Sequence, residues 1–392
     1  MKKKIKDVIQ QEFKGLWGTD FADDGIPVIK TNNMTYEGRI DFSDICKRNI
    51  SFEEASPNFL QKGDLIIEKS GGTKTHSVGY VNIFEGEDNK YVCNNFILPL
   101  RPNKELVDCK YLFWQLHGMY EAGRFADCYN KTTGIQNLQK KSYFAKEINV
   151  PSKEKQQKIV CELDTIQSAI DNKKQQLSLL DEAVKSEFVE MFGENPVGNG
   201  RWKVENVGTL STDVKYGTSS PAVENGKYKY LRMNNITTTG YLDLNDLKYI
   251  DISDDEYEKC VVRKGDIIFN RTNSREHVGK TCLYDLDEEM IIAGYLIRVR
   301  LNNTVNPRFF SEFMNIPYMK LVLRKTARGA VNQSNINSQE LKKMKIPVPP
   351  LELQNKFADF VQQIDKSKFV VKQQIADLQE LLDSKMQEYF GE

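Results

Sequence analysis

The sequence predicts an α+β chain in which two mixed α/β domains sit at opposite ends of two long antiparallel coiled-coil helices, the halves related by a pseudo-two-fold internal repeat. Three observations predict it. Residues 150–194 align without a gap onto residues 348–392, from Val150-Pro-Ser-Lys-Glu-Lys-Gln-Gln-Lys against Val348-Pro-Pro-Leu-Glu-Leu-Gln-Asn-Lys to a shared Phe-Gly-Glu ending. Each copy carries apolar residues at heptad spacing. The segments outside them repeat as well. One structural unit used twice usually means two equivalent sites and pseudo-symmetry.

The first domain, residues 1–149, and the second, residues 196–347, share short strand-like runs and turns. Ile29-Lys-Thr-Asn-Asn-Met34 matches Leu231-Arg-Met-Asn-Asn-Ile236, Gly38-Arg-Ile-Asp-Phe42 matches Gly240-Tyr-Leu-Asp-Leu244, and Lys62-Gly-Asp-Leu-Ile-Ile67 matches Lys264-Gly-Asp-Ile-Ile-Phe269. Alternating apolar residues bounded by Gly-Asp turns read as strands, and Lys110–Leu116 and Arg308–Met314 read as short helices packed on them. The second domain opens with Arg201-Trp-Lys-Val; no equivalent lead-in is evident at the start of the first, around Lys14-Gly-Leu-Trp-Gly18, so the two domains are read as different subtypes.

The spacer helices are residues 150–195 and 348–392. A proline opens each and Phe-Gly-Glu closes it, which are start and stop signals. In the first, Ile159, Leu163, Ile166, Ile170, Leu177, Leu180, Val184 and Met191 form a heptad seam interrupted at Lys173 and Glu187. The second carries Phe357, Val361, Ile364, Val371, Ile375, Leu378, Leu382 and Tyr389 in the same frame, interrupted at Lys368 and Lys385. Such a seam predicts mutual pairing. The second domain leaves the end of one helix and enters the start of the other, and a compact domain keeps its entry and exit close. The helices therefore run antiparallel, and about 40 residues at 1.5 Å each give a spacer of roughly 60 Å. Two domains held at a set distance make a ruler.

A chain of 392 residues has room for two or three domains with cores. Its 55 basic and 55 acidic residues cancel, so any surface for a polyanion must come from local clustering. Seven scattered cysteines, with neither a C-x-x-C pair nor histidines at zinc spacing, fit reduced thiols in the cytoplasm. No apolar run has the length of a membrane span or of a signal-peptide core.

A Pro-rich strand followed by E-x-Q-x-K and a long helix, present twice, with a G-D-[IL]-I strand in each preceding domain, resembles the specificity subunit of type I restriction-modification enzymes along the whole chain. That resemblance implies two target-recognition domains, each reading half of a bipartite double-stranded DNA target. It implies as partners two modification subunits, which carry adenine methylation and S-adenosylmethionine, and restriction subunits that use ATP and Mg. No cofactor or metal site is expected in this chain, and its role is to select DNA and not to cut or methylate it.

Direct readout of duplex DNA uses amide side chains for adenine and cationic ones for guanine. Three repeated places supply them. The loop after the Gly-Asp strand holds Lys69, Ser70 and Lys74 in the first domain and Asn270, Arg271, Asn273 and Arg275 in the second. Lys30, Asn32 and Asn33 stand against Arg232, Asn234 and Asn235, where an Asn-Asn doublet either bonds bases or caps a turn. Ahead of each long helix, Lys131 and Gln136 correspond to Arg324, Lys325, Arg328 and Gln333. Cations beside a Gly-bearing turn suit phosphates, which position a protein without reading sequence. Arg324, Lys325 and Arg328 are the phosphate candidates, and Arg271 is the candidate bidentate reader of one base. All of these loops also have the composition of plain solvated turns.

Other readings are weaker. Asp108-Cys-Lys110 matches the end of a metal-dependent nuclease site but has no partner carboxylate in a preceding strand. Ser70-Gly-Gly-Thr-Lys-Thr75 lacks the spacing of a phosphate-binding loop. His76, His117 and His277 belong to no nucleophile arrangement. A scaffold displaying two protein-binding domains fits the neutral charge equally, and salt-sensitive duplex binding separates it from DNA recognition. Phe188, Leu179, Phe360 and Phe369 fall outside the seam and are the expected docking positions for modification subunits.

Overall fold

The computed structural model describes residues 1–73, 75–132, 135–330 and 333–391, with backbone alone at 131 and 132. The chain divides into two compact units, one comprising Met1–Lys174 with Gln373–Glu392, the other Gln175–Lys372. Each unit contains one mixed α/β domain and part of both long helices, Lys153–Phe192 and Leu351–Phe390.

Both domains share one main sheet. The first has a four-stranded antiparallel sheet in the order Ile9–Glu12, Ile97–Pro102, Leu65–Glu68, Val81–Ile83. The second repeats it as Ser211–Tyr216, Leu296–Leu301, Ile267–Asn270, Thr281–Leu283. The first three residues of the Gly-Asp strand are all apolar because it is covered on both faces. Leu65 and Ile67 face the helix-packed core while Ile66 faces a second, smaller core. Ile267 and Phe269 divide from Ile268 in the same way.

The turn ahead of that strand explains its motif. Gly63 and Gly265 adopt φ of 90° and 94°, conformations that favour glycine. The following aspartate then folds back: Asp64 accepts from the Gln61 amide (2.8 Å) and pairs with Arg101 at 2.8 and 2.7 Å. Asp266 likewise accepts from the Arg263 amide (2.8 Å) and from Arg300 at 3.0 and 3.4 Å.

The glutamine of E-x-Q-x-K ties each long helix to its domain. Gln156 and Gln354 are buried. Gln156 Oε1 accepts from the Asp108 amide (2.7 Å) and its Nε2 donates to the Pro151 carbonyl (2.9 Å). Gln354 makes the same pair with the Asn306 amide and the Pro349 carbonyl, both at 2.8 Å. Asp108 and Asn306 in turn cap the domain helices Cys109–Glu121 and Pro307–Asn315. One amide thus satisfies a strand end and a helix start together, which explains why the motif occurs twice.

The long helices pair within each unit. In the first, Ile159, Leu163, Ile166 and Ile170 share a core with Ile375, Leu378, Leu382, Met386 and Phe390, and Lys385 bonds Glu162 at 3.0 Å. In the second, Asp181 meets Lys368 (2.5 Å) while Phe188 and Phe192 meet Phe357, so the segments run antiparallel. The interruptions at Lys368 and Lys385 are therefore ion pairs across the helix pair.

Two expectations are corrected. The first domain does have a lead-in: Lys2–Lys4 pairs with Glu147–Asn149 just as Lys203–Asn206 pairs with Lys345–Val348. The match of Ile5 and Val8 to Val207 and Leu210, all buried, was its sequence signal. Phe188 is not a free docking position. It is 1 % exposed and lies among Phe192, Phe309, Phe313 and Phe357. Leu179 and Phe369 remain exposed, at 56 % and 70 %.

Candidate nucleic-acid interface

The loop after the Gly-Asp strand and the hairpin before the long helix, separate in sequence, form one three-stranded ribbon in each unit. In the second unit its order is Thr272–Asn273, Gln333–Asn335, Arg328–Ala330. Gly329 has φ of 110°, and a Cβ there would meet the Gln333 carbonyl oxygen at 2.6 Å, so the tight hairpin needs glycine. In the first unit the order is Ser70–Gly71, Ile135–Leu138, Tyr129–Thr132. The same asparagine position joins loop to hairpin in both: Asn137 accepts from the Ser70 hydroxyl (2.8 Å), and Asn335 donates to the Thr272 hydroxyl (3.0 Å).

The ribbon sorts the candidate residues. Arg275, Arg324, Lys325, Arg328 and Gln333 are exposed on or beside it in the second unit, with Asn273 half-buried. Arg328 is paired with Glu340 (2.7 Å) but its side chain stays 82 % exposed. Lys69 and Ser70 are half-buried on the first ribbon, and burial, followed by the nearby Lys140 charge, lowers the Lys69 pKa. Asn32 and Asn234 are exposed at the tips of their turns. Lys74 and the side chain of Lys131 lie outside the described residues.

Several candidates are internal supports and not readers. Asn33 and Asn235 are 3 % and 1 % exposed; each accepts from a backbone amide, of Lys30 and Arg232, and donates to two carbonyls across its turn. Lys30 and Arg232 fasten the same turns through Asp44 (3.7 Å) and Asp246 (2.7 Å). Gln136 is buried, accepting from the Val78 amide and donating to the Thr73 carbonyl. Asn270 is fully buried and accepts from the Thr272 amide (3.3 Å). Arg271 lies 4.9 Å over the Tyr216 ring and donates to Asn335 at 3.2 Å. Its half-buried guanidinium is engaged inside the unit, with the ribbon strand that carries Asn335. Asp108-Cys-Lys110 is also accounted for: Asp108 caps its helix and Lys110 bonds Asp164 at 2.7 Å.

Each unit also holds a cleft. In the second unit it holds about 490 Å³ and is lined by Lys280, Glu312, Asn315, Lys320 and Arg324 among others. In the first unit a cleft of about 550 Å³ is lined instead by Tyr36, His76, Trp114, His117 and Met386. Tyr36 and His76 stack at 3.8 Å, an arrangement the isolated histidine in the sequence did not suggest. Burial pushes the His117 imidazole down to about 4.

Glu312 is half-buried, and burial pushes its carboxyl up to about 7. A carboxyl raised on folding disfavours the folded state once ionised, so this penalty grows as pH rises from the ordinary glutamate range through 7. Glu312→Gln is therefore expected to stabilise the second unit at pH 8 by about 1–3 kcal/mol more than at pH 5. Urea unfolding at the two pH values reads the difference, and an equal gain at both would contradict it.

Duplicated α/β modules, each presenting a polar ribbon with basic and amide side chains beside paired helices, define a two-part recognition protein. The chain belongs to the type I restriction-modification DNA specificity family, whose domain matches residues 1–182 and again 203–380. Target recognition on DNA is the role of this family's subunits, and it is the role of this chain. Over 362 residues it is 23 % identical to the EcoKI specificity subunit of Escherichia coli K12, covering 87 % of this chain and 76 % of that one. It is 30 % identical over 193 residues to a putative MjaX specificity subunit of Methanocaldococcus jannaschii, 48 % of this chain and 45 % of that relative. The crystal structure of a type I specificity subunit from M. genitalium shares the fold, with a TM-score of 0.55 at 16 % identity over 100 % of this chain and 96 % of that one. Among the described residues no helix is long and apolar enough to cross a membrane, no group of side chains is set to hold a metal, and all seven cysteines are free.

Proposed function

We propose that this chain selects one asymmetric, bipartite duplex sequence, each unit's ribbon reading one half, and directs methylation or cleavage by partner subunits while performing neither. The observation that carries this reading is a single ribbon scaffold built twice with different side chains. The exposed Arg275, Arg328 and Gln333 of the second unit stand where the first has Thr73, Asn130 and Ile135. Unlike readers on like scaffolds favour unlike half-sites, because base identity is read by the donors and acceptors that reach the groove. The partners in this reading are two modification subunits holding S-adenosylmethionine and restriction subunits using ATP and Mg. The use of Asp108 and Lys110 within the fold supports a non-catalytic role. Sequencing modified bases in the genome of cells expressing the chain with its modification subunit is expected to reveal one motif of two dissimilar specific parts flanking a fixed gap. A contiguous or palindromic motif would refute the bipartite asymmetric reading.

A further inference from the structure

Three cations, Lys280, Lys320 and Arg324, line the second unit's cleft, and a fourth, Arg275, neighbours the lining residue Glu276. Lys320 and Arg324 lie one turn apart on the helix Pro317–Thr326, and their side chains share one face. Arg275, from the loop after the ribbon strand Thr272–Asn273, donates its Nε to the Arg324 backbone carbonyl (3.5 Å), which ties that loop to the end of the helix. Lys320 Nζ donates to Asn315 Oδ1 (2.7 Å), and Lys280 Nζ to the carbonyls of Met233 and Ile236. None of the four is ion-paired among the described residues. Elsewhere in this unit Arg263, Arg298, Arg300 and Arg308 all have carboxylate partners.

Like charges drawn together with no carboxylate in direct contact cost free energy that an arriving anion recovers. Burial first, and then Lys280 and Arg324, hold the Lys320 ammonium down to about 8. Glu276, Glu312 and Asp181 also line the cleft, but Asp181 is engaged by Lys368 and burial opposes the ionisation of Glu312. The exposed Arg275 and Arg324 lead from the ribbon edge to the half-buried Lys320, a path suited to a backbone running past the ribbon.

We infer that Lys320, Arg324 and Arg275 form a clamp for a nucleic-acid backbone phosphate beside the bases that the second ribbon reads. The clamp rests on the DNA reading above and extends it to a residue, Lys320, outside both recognised loops. It is one-sided: the aligned positions of the first unit hold Ala122 and Ala126, and that unit's cleft is faced by Trp114, His117 and Met386. Backbone charge is then felt more strongly at one half-site than at the other.

The test uses the full chain assembled with its modification subunits, and duplexes with and without its genomic motif, titrated across a range of salt. Lys320→Gln and the exposed Arg324→Gln are each expected to weaken binding about tenfold at ~0.1 M salt, on motif and non-motif DNA alike, and to reduce the log–log salt slope by about 0.9. Neutral methylphosphonates in one half-site are expected to weaken the wild type more than either variant. Unchanged affinity and slope in both variants, with motif binding intact, would overturn the clamp alone. Loss confined to the motif would make these residues base readers, and impaired subunit assembly with normal DNA affinity would assign the cations to a partner's carboxylate; either overturns the proposal. A wild-type complex with no salt-sensitive duplex binding would overturn the DNA reading itself.

Discussion

Replacing Phe188 by alanine is expected to destabilise the second unit by about 3–5 kcal/mol, the range for deleting a large buried aromatic side chain. Its ring is 1 % exposed and lies 5.0 Å from Phe192, 5.9 Å from Phe309, 6.3 Å from Phe313 and 5.4 Å from Phe357. These neighbours come from its own helix, the capped domain helix and the other long helix, so a cavity there loosens three elements that no single shift can close. Unfolding in urea, followed by hydrogen exchange on peptides of the second unit, measures the loss. Leu179, on the same helix and 56 % exposed, is the control: its alanine variant is expected to stay within about 0.5 kcal/mol of the wild type. Comparable losses in both would mean that Phe188 does not anchor the unit. Because the domain carrying the second ribbon rests on this cluster, Phe188→Ala is also expected to reduce methylation at the full motif.

Phe188 also shows where reading the sequence reached its limit. The heptad frame through Leu177, Leu180 and Val184 continues to Glu187 and Met191, yet the buried positions after Val184 are Phe188 and Phe192. A helix packed only on another helix keeps the 3.5-residue period. One that turns its stripe onto an α/β domain reverts toward 3.6 and drifts out of frame. The repeat made the duplicated architecture legible because Gly-Asp turns, the buried glutamine and the prolines each answer a strict backbone demand. The ribbon was legible only in pieces, since nothing local says that Ser70 meets Asn137 or that Thr272 meets Asn335. Amides were the least legible. Asn33 and Gln136 have the donors and acceptors that read bases, but those same groups satisfy buried backbone amides and carbonyls, and the Asn270 oxygen is likewise taken by the Thr272 amide. Lys320 carries a signal in its four-residue spacing from Arg324, which only the helix Pro317–Thr326 turns into a shared face.

Asp64→Ala is expected to cost about 3–5 kcal/mol in the first unit, as when one member of a buried ion pair is removed and the other is left behind. The Asp64 side chain is 2 % exposed and that of Arg101 15 %. Both carboxylate oxygens accept from Arg101, and one also accepts from the Gln61 amide. Alanine would strand a guanidinium that keeps only the Phe59 carbonyl at 3.2 Å and the Phe13 ring at 4.6 Å, and would leave the turn amide without its acceptor. The duplicate provides an internal scale. Asp266 pairs with Arg300, whose side chain is 28 % exposed and whose second bond is 3.4 Å, so solvent recovers more of the loss and Asp266→Ala is expected to cost less. Urea unfolding with peptide-resolved hydrogen exchange distinguishes the units. The larger loss should fall on peptides of residues 1–174 in Asp64→Ala and the smaller on those of residues 175–372 in Asp266→Ala, and the reverse order would show that burial does not set the strength of these pairs. The consequence for recognition follows from connectivity within each unit: the Gly-Asp strand that Asp64 fastens runs directly into Lys69 and Ser70. A slack turn there is expected to degrade specificity at the half-site read by the first ribbon before it affects assembly with partner subunits.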